Sequence, residues 1–345
     1  MKENETTSEK TGEELLEMVK KLCEKEGMKG WKLAQETMLK KKADSPKLQE
    51  IIEYMMLKYK PDYFRPALLS FCCKAVGGNP KTTIPTGAAL TLLGWAIGIH
   101  DDIIDQSRMK NKRPTVLGKF GKDLALILSD VLLFKGFTLL RKTLESEISV
   151  KRVIQILETI EKIWFEQSAG ETLEIQSKGS TDVTSKACFE KIRMRASEME
   201  ACTRIGGILG DGSKKQIEDL GAYGRLVGMM SILRNELIDM LEFNMLRHRI
   251  RRESLPLPII YALQDQRIRP QLISLITKSK LTKRDLRNIS KLSDRSGGIE
   301  YIANLIDKMA QETCVYAKSF RSKELKTIAT SFLISSKEWR PLLSD

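Results

Sequence analysis

The chain has 345 residues, 41% hydrophobic and 30% charged, which is the composition of a soluble globular protein with a large core. Six cysteines without a CxxC pair, and only two histidines, exclude a zinc site and read as free thiols of a reducing, cytoplasmic compartment. The net charge of +13 admits nucleic acid, an anionic membrane surface or phosphorylated metabolites, but with 6% aromatics and no nucleic-acid motif it does not favour nucleic acid.

In chain order, Met1 to Lys10 is polar and reads as a flexible tail without the apolar stretch of a signal peptide. Apolar residues then recur at helical spacing in Leu15-Leu16-Met18-Val19-Leu22 and Leu48-Ile51-Ile52-Tyr54-Met55-Leu57. Further helices are predicted near 65–76, 84–108, 115–143, 147–178, 184–210, 215–246, 254–264, 270–278, 283–292, 298–317 and 323–334. Breaks fall at Gly77-Gly78-Asn79-Pro80, Lys112-Arg113-Pro114, Gly179-Ser180, Gly210-Asp211-Gly212-Ser213 and Ser296-Gly297-Gly298. None is long enough to link two domains, so residues 11–345 are predicted to form one all-α domain with a core of long helices.

The longest apolar run, Gly87 to Ile99, has no charge in it and ends in His100-Asp101-Asp102-Ile103-Ile104-Asp105. Its glycines and terminal aspartates argue against a membrane span. Three carboxylates at the mouth of an apolar channel repel one another and are costly to desolvate without a cation. Asp101 and Asp105 are i,i+4 neighbours on a helix, and an all-oxygen set on one face suits Mg²⁺ with a substrate diphosphate. A second acidic segment, Asn235-Glu236-Leu237-Ile238-Asp239-Met240-Leu241-Glu242, puts Asn235, Asp239 and Glu242 on one helical face, although Leu233, Leu237, Met240 and Leu241 also fit an ordinary core stripe. Basic residues follow both segments: Arg108, Lys110, Lys112 and Arg113, then Arg247, Arg249, Arg251 and Arg252. Such side chains bind phosphate oxygens, but most of these eight read as solvated surface.

Taken in order, these residues resemble the trans-isoprenyl diphosphate synthase (polyprenyl synthetase) family over roughly residues 60–265. Asp101-Asp102-Ile103-Ile104-Asp105 matches the first DDxxD motif, and Ser107 through Thr115 keeps the spacing to an RRGxPT element. Asp130-Val131-Leu132-Leu133 resembles GDxLL, Gly170-Glu171-Thr172-Leu173-Glu174 resembles GQxxD, and Asn235–Asp239 stands where the second DDxxD belongs. Ser254 to Leu263 resembles TLPLIYAL. The resemblance implies an all-α isoprenoid synthase fold with a central apolar cavity, a homodimer or a heteromer with a second prenyl synthase, and Mg²⁺ bridging an allylic prenyl diphosphate. It assigns metal binding to Asp101, Asp102, Asp105, Asn235, Glu236, Asp239 and Glu242, and diphosphate binding to Arg65, Lys110, Arg113, Arg195, Arg234 and Arg247. Lys110 joins the three aspartates as a catalytic group, and Leu93, Ala96 and Ile97 line the chain pocket, with no aromatic floor beneath Asp101.

The departures fall mainly on the side that would hold the acceptor, isopentenyl diphosphate. The GGKxxRP element reads Lys60-Pro61-Asp62-Tyr63-Phe64-Arg65-Pro66, so Arg65 is kept while the lysine position is Asp62. The usual histidine is Gly94, and the second arginine of RRG is Asn111. Each lost charge-assisted hydrogen bond is worth about 1.5–3 kcal/mol. On the allylic side, Lys110 keeps the charge of the first arginine, the KTAxL lysine falls at Met194 beside Arg195, and a usual glutamine is Ile232. Asn235, Asp239 and Glu242 approach the NSE triad of class I terpene synthases, one residue short in the last spacing. The expectation is therefore an enzyme that ionises one prenyl diphosphate and cyclises, eliminates or hydrates it; the alternatives are a geranylgeranyl-type elongating synthase or a subunit of a heteromeric synthase.

Overall fold

The computed structural model describes residues 12–342 except 41, 111 and 145–147, so the predicted tail and Asn111 lie outside the described residues. Sixteen α-helices are described, with one short antiparallel pair of strands. They are α1 Gly12–Lys40, α2 Pro46–Lys58, α3 Phe64–Ala75, α4 Thr83–Ile104, α5 Val116–Phe120, α6 Lys122–Leu144, α7 Val150–Gln176 and α8 Ser185–Arg195. There follow α9 Ser197–Leu209, α10 Lys214–Leu241, α11 Phe243–Arg252, α12 Leu257–Ala262, α13 Arg269–Ile276, α14 Lys283–Arg295, α15 Gly298–Ser319 and α16 Lys323–Leu342. The strands β1 Met109–Lys110 and β2 Arg113–Pro114 pair Lys110 with Arg113. A single continuous core runs from Cys23 in α1 to Phe332 in α16.

α4 sits at the centre. Its side chains from Thr86 to Gly94 are buried all round, which is the pattern of a helix enclosed by others rather than lying on a surface. α1, α3, α6 and α9 surround it. The stretch Pro80–Ile104 is long and apolar enough to cross a membrane, but most of it is buried inside the protein. All six thiols are free, five of them buried.

Four predicted helices are shorter or divided. The 84–108 prediction ends at Ile104, because Asp105 is the C-cap and Gln106 turns to φ +56°. The 115–143 prediction breaks at Gly121, whose φ of +85° favours glycine. The 184–210 prediction breaks at Ala196, and the 215–246 prediction at Glu242, which adopts extended backbone. Capping explains several starts: Ser213 with Gln216 forms a capping box on α10, and Thr282 with Asp285 forms one on α14.

Candidate active site

The C-terminal end of α4 carries the first acidic segment. Unpaired carbonyls already make a helix C-terminus negative, so Asp101, Asp102 and Asp105 add charge where it is least welcome. Three cations answer them. Lys110 Nζ lies 3.3 Å from Asp101 Oδ2 and 2.6 Å from Asp102 Oδ1. Arg195 Nη2 lies 3.3 Å from Asp101 Oδ1. Lys178 Nζ donates to Asp105 Oδ1 at 2.9 Å and to the Ile104 carbonyl at 3.0 Å.

Local structure positions each of these groups. Lys110 rides on the strand pair, whose base is fixed by Thr115: its hydroxyl donates to the Ser107 carbonyl at 2.7 Å and accepts from Gly118 N at 3.0 Å. Arg195 ends α8, which approaches α7 closely because position 170 is glycine. A Cβ there would lie 2.9 Å from Met194 Cβ and 3.1 Å from Arg195 Cγ. The approach sets Arg195 beside Glu171 at 3.4 Å and Glu174 at 3.7 Å. Glu174 is buried, pairs with Lys191 at 2.6 Å and accepts from Ser254 N at 2.8 Å, and the basic groups around it hold its carboxyl well below the usual range against its burial.

The second acidic segment divides in two. Glu236 faces inward, with Arg249 Nη2 at 3.2 Å and Leu257 N donating at 2.9 Å. Arg249 also meets Glu253 at 2.6 Å and Asp239 at 3.9 Å. Glu236 thus sits in a buried ion cluster with Arg249, Glu253 and Asp239. Asp239 is half-buried, with Arg249 Nε at 3.9 Å and Lys110 among the charges that act on it. Asn235 is exposed on α10. Glu242 is the C-cap of α10: its N–H still bonds to the Ile238 carbonyl, and its side chain is exposed.

Other sequence assignments find different surroundings. Arg113 is exposed and donates to the Lys58 carbonyl at the end of α2. Arg247 meets Asn244 Oδ1 at 3.4 Å. Arg234 is half-buried, and burial pushes its pKa down. Arg65 is clamped between Asp62 at 2.6 Å and Glu198 at 2.7 Å. The clamp fills the space left by Gly94, where a Cβ would lie 2.5 Å from both Arg65 Nε and Glu198 Oε1. Leu90, Leu93, Gly94 and Ile97 form a stripe down α4 that lines a narrow crevice of about 30 Å³ with Ile160, Trp164 and Ala201. Ala96 is absent from that lining: it is fully buried, and its carbonyl accepts from Ser129 in α6 at 3.0 Å. A larger cleft of about 670 Å³ lies between α7, α9 and α10, away from the acidic cluster.

Lys178, Lys191 and the structural role of Arg249 lie beyond the sequence assignments. The only sequence signal for Lys178 is its place four residues after Glu174, at the end of the GETLE helix.

Burial raises the carboxyl pKa of Asp102, raises Asp105 to about 7 with help from Asp101 and Glu253, and raises Asp239 to about 6. Glu171 is raised too, and its Oε1 is buried without a hydrogen-bond partner. Hard oxygen donors short of positive charge suit a divalent cation such as Mg²⁺. Among the described residues no three His, Cys, Asp or Glu side chains converge as a cage.

A stability prediction follows. A carboxyl raised from 3.8 to about 7 binds more protons folded than unfolded, so the stability it contributes is lost as pH rises between those values. His248, whose pKa burial lowers, works in the opposite direction nearby, so the Asp105 contribution is best isolated by substitution. Asp105→Asn is expected to match the parent in urea unfolding near pH 4.5 and to exceed it by on the order of 2 kcal/mol at pH 7.5 without metal. A difference that does not vary with pH would count against a strained carboxylate.

A polyprenyl synthetase profile matches residues 45–292 of this chain. The geranylgeranyl diphosphate synthase of Methanosarcina mazei is 30% identical over 177 residues, 51% of this chain and 54% of that protein. The short chain isoprenyl diphosphate synthase of Methanothermobacter thermautotrophicus is 30% identical over 176 residues, 51% of this chain and 53% of that one. The chain thus spans about half the length of the curated relatives it matches. In structure it is similar to a geranylgeranyl pyrophosphate synthetase from Pyrococcus horikoshii, with a TM-score of 0.79 at 22% identity over 93% of this chain and 98% of that one. The family profile, the ordered motifs and the shared all-α fold agree, and the chain belongs to the polyprenyl synthetase family.

Proposed function

We propose that this chain is a Mg²⁺-dependent prenyltransferase that ionises an allylic prenyl diphosphate and joins it to isopentenyl diphosphate, giving a geranylgeranyl-type product. The observation that carries the ionising half is the meeting of Asp101, Asp102 and Asp105 with Lys110, Lys178 and Arg195 at the head of the α4 crevice. The names of the matched relatives support elongation and move the reading away from the terpene-synthase-like outcome expected from the sequence.

The carboxylates of the first segment, with Asp239 opposite, would hold Mg²⁺, and that ion would neutralise charge on the departing diphosphate. Lys110 and Arg195 hold a second, fixed share of that positive charge, and being preset they need no reorganisation as the bond breaks. Leu93, Ile97 and Trp164 keep water from an allylic cation held in the crevice. At about 30 Å³ the crevice is far smaller than a prenyl chain, so binding must spread α4 from α7.

The second reading rests on Arg65. Two carboxylates already neutralise it, which disfavours an acceptor diphosphate there and favours ionisation followed by cyclisation, elimination or water capture. Incubation with Mg²⁺ and geranyl, farnesyl or geranylgeranyl diphosphate, with and without isopentenyl diphosphate, separates the two. Longer diphosphates formed only when isopentenyl diphosphate is present support elongation. Hydrocarbon or alcohol formed without it would replace that reading, and turnover only with a second synthase chain would indicate a heteromer.

The same reading includes a homodimer. α6 turns Ile127, Phe134 and Phe137 outward, and α7 does so with Val150, Ile154, Leu157 and Phe165; Phe134 is 76% and Phe165 72% exposed. Exposed apolar surface in such stripes marks an interface. Phe134→Glu with Phe165→Glu is expected to convert a dimer to a monomer in sedimentation equilibrium; an unchanged mass would place the interface elsewhere.

A further inference from the structure

The positive charge of this chain is concentrated. Between Phe243 and Arg295 there are 13 Lys and Arg against 4 Asp and Glu, so this stretch supplies nine of the thirteen net charges. Three of those four acids are already committed. Glu253 pairs with buried Arg249 at 2.6 Å, Asp285 is buried against Lys278 at 2.6 Å while capping α14, and Asp265 pairs with Arg267 at 3.0 Å. The exposed basic groups therefore outnumber the exposed acids nearby, of which Asp294 lies on α14 one turn after Lys291 and Glu242 just precedes Phe243.

Three of them share one face of α14. On α14, Arg284, Arg287 and Lys291 fall at i, i+3 and i+7, one exposed stripe, while Leu286 and Ile289 face the core. Ser290 donates to the Met240 carbonyl at 2.9 Å and fixes α14 beside the end of α10. Arg287 lies over the Phe243 ring at 5.9 Å. Two residues before Phe243 is Leu241, 37% exposed, and one turn earlier Ile238, 38% exposed. The stripe thus borders exposed aliphatic side chains at the same end of α10 that carries Asp239.

We propose that this face of α10, α11 and α14 docks on an anionic lipid surface. Basic residues beside such a surface gain from its negative potential, and a few exposed aliphatic side chains add burial in the headgroup region. Single-stranded nucleic acid would instead call for open aromatic faces on which bases stack, and the ring at this site, Phe243, is covered by Arg287. Docking here sets the end of α10 that carries Asp239 beside the bilayer.

The test is co-sedimentation of the full chain with vesicles of phosphatidylcholine alone and of phosphatidylcholine mixed with phosphatidylglycerol, at low and high salt. Binding is expected only to the mixed vesicles and to weaken with salt. Arg284→Glu, Arg287→Glu and Lys291→Glu together should weaken it by on the order of a hundredfold, at roughly fivefold per residue. Lys25→Glu, Lys29→Glu and Lys32→Glu on exposed positions of α1 remove the same net charge and should leave most of the binding intact. Circular dichroism confirms that both variants are folded. Failure of the parent chain to bind mixed vesicles, equal losses in the two triple variants, or tighter binding to a single-stranded oligonucleotide would each overturn the proposal. None of these outcomes bears on turnover of a soluble short-chain substrate, so the docking face and the active-site reading fail separately.

Discussion

Asp102→Ala is expected to lower turnover of an allylic prenyl diphosphate by on the order of a hundred- to a thousandfold, as loss of one preset electrostatic group at a developing charge does elsewhere. Asp102 is 6% exposed, and its burial is so unfavourable to the charged form that its pKa is raised although Lys110 sits 2.6 Å away. Such a cost supports a ligand role for Asp102 under the proposed function. The same substitution should leave the metal-free chain at least as stable as the parent, so activity and stability move in opposite directions. Turnover within tenfold of the parent would show that ionisation occurs elsewhere, and a large drop in the urea midpoint would show that Asp102 is structural.

The second large effect concerns stability. Arg249 is 8% exposed, and the surrounding carboxylates Glu236, Glu253 and Asp239 raise its pKa against the effect of burial. Arg249→Ala is expected to destabilise the fold by about 3–5 kcal/mol, because Glu236 and Glu253 would be left buried with nothing opposite them. Adding Glu236→Gln to that variant should recover part of the loss, since the coupling lies between neighbours. Urea unfolding of the four proteins in this cycle gives the coupling directly. A loss under about 1 kcal/mol for Arg249→Ala would mean that water reaches the cluster and screens it.

The helices are legible in the sequence where period and capping agree, as in α2 and α14. The first acidic segment is legible because three aspartates that close an uncharged run repel one another and call for a cation. The ion cluster around Glu236 is not legible from spacing, because the pattern gives its distance from Asp239 but not the Arg249 that folds back from α11 onto it. The end of α10 is misplaced because the apolar period runs on to 246, and the extended backbone at Glu242 is enough to start a new helix at Phe243. Lys178 is out of reach, since it comes to Asp105 from 73 residues away. Ala96 and Ile97 are adjacent in sequence, yet one turns toward α6 and the other lines the crevice; only the packing of α4 among its neighbours distinguishes them.

Gly94 ties these contacts to the size of one residue. Its missing side chain is the room in which Arg65 and Glu198 meet, so any larger residue at 94 collides with the pair while the pair exists. The cost of a side chain at 94 is therefore set by how freely the ends of Arg65 and Glu198 can move, and shortening Glu198 lowers it. The two positions are coupled, so the same substitution at 94 costs less in a chain whose residue 198 is already small.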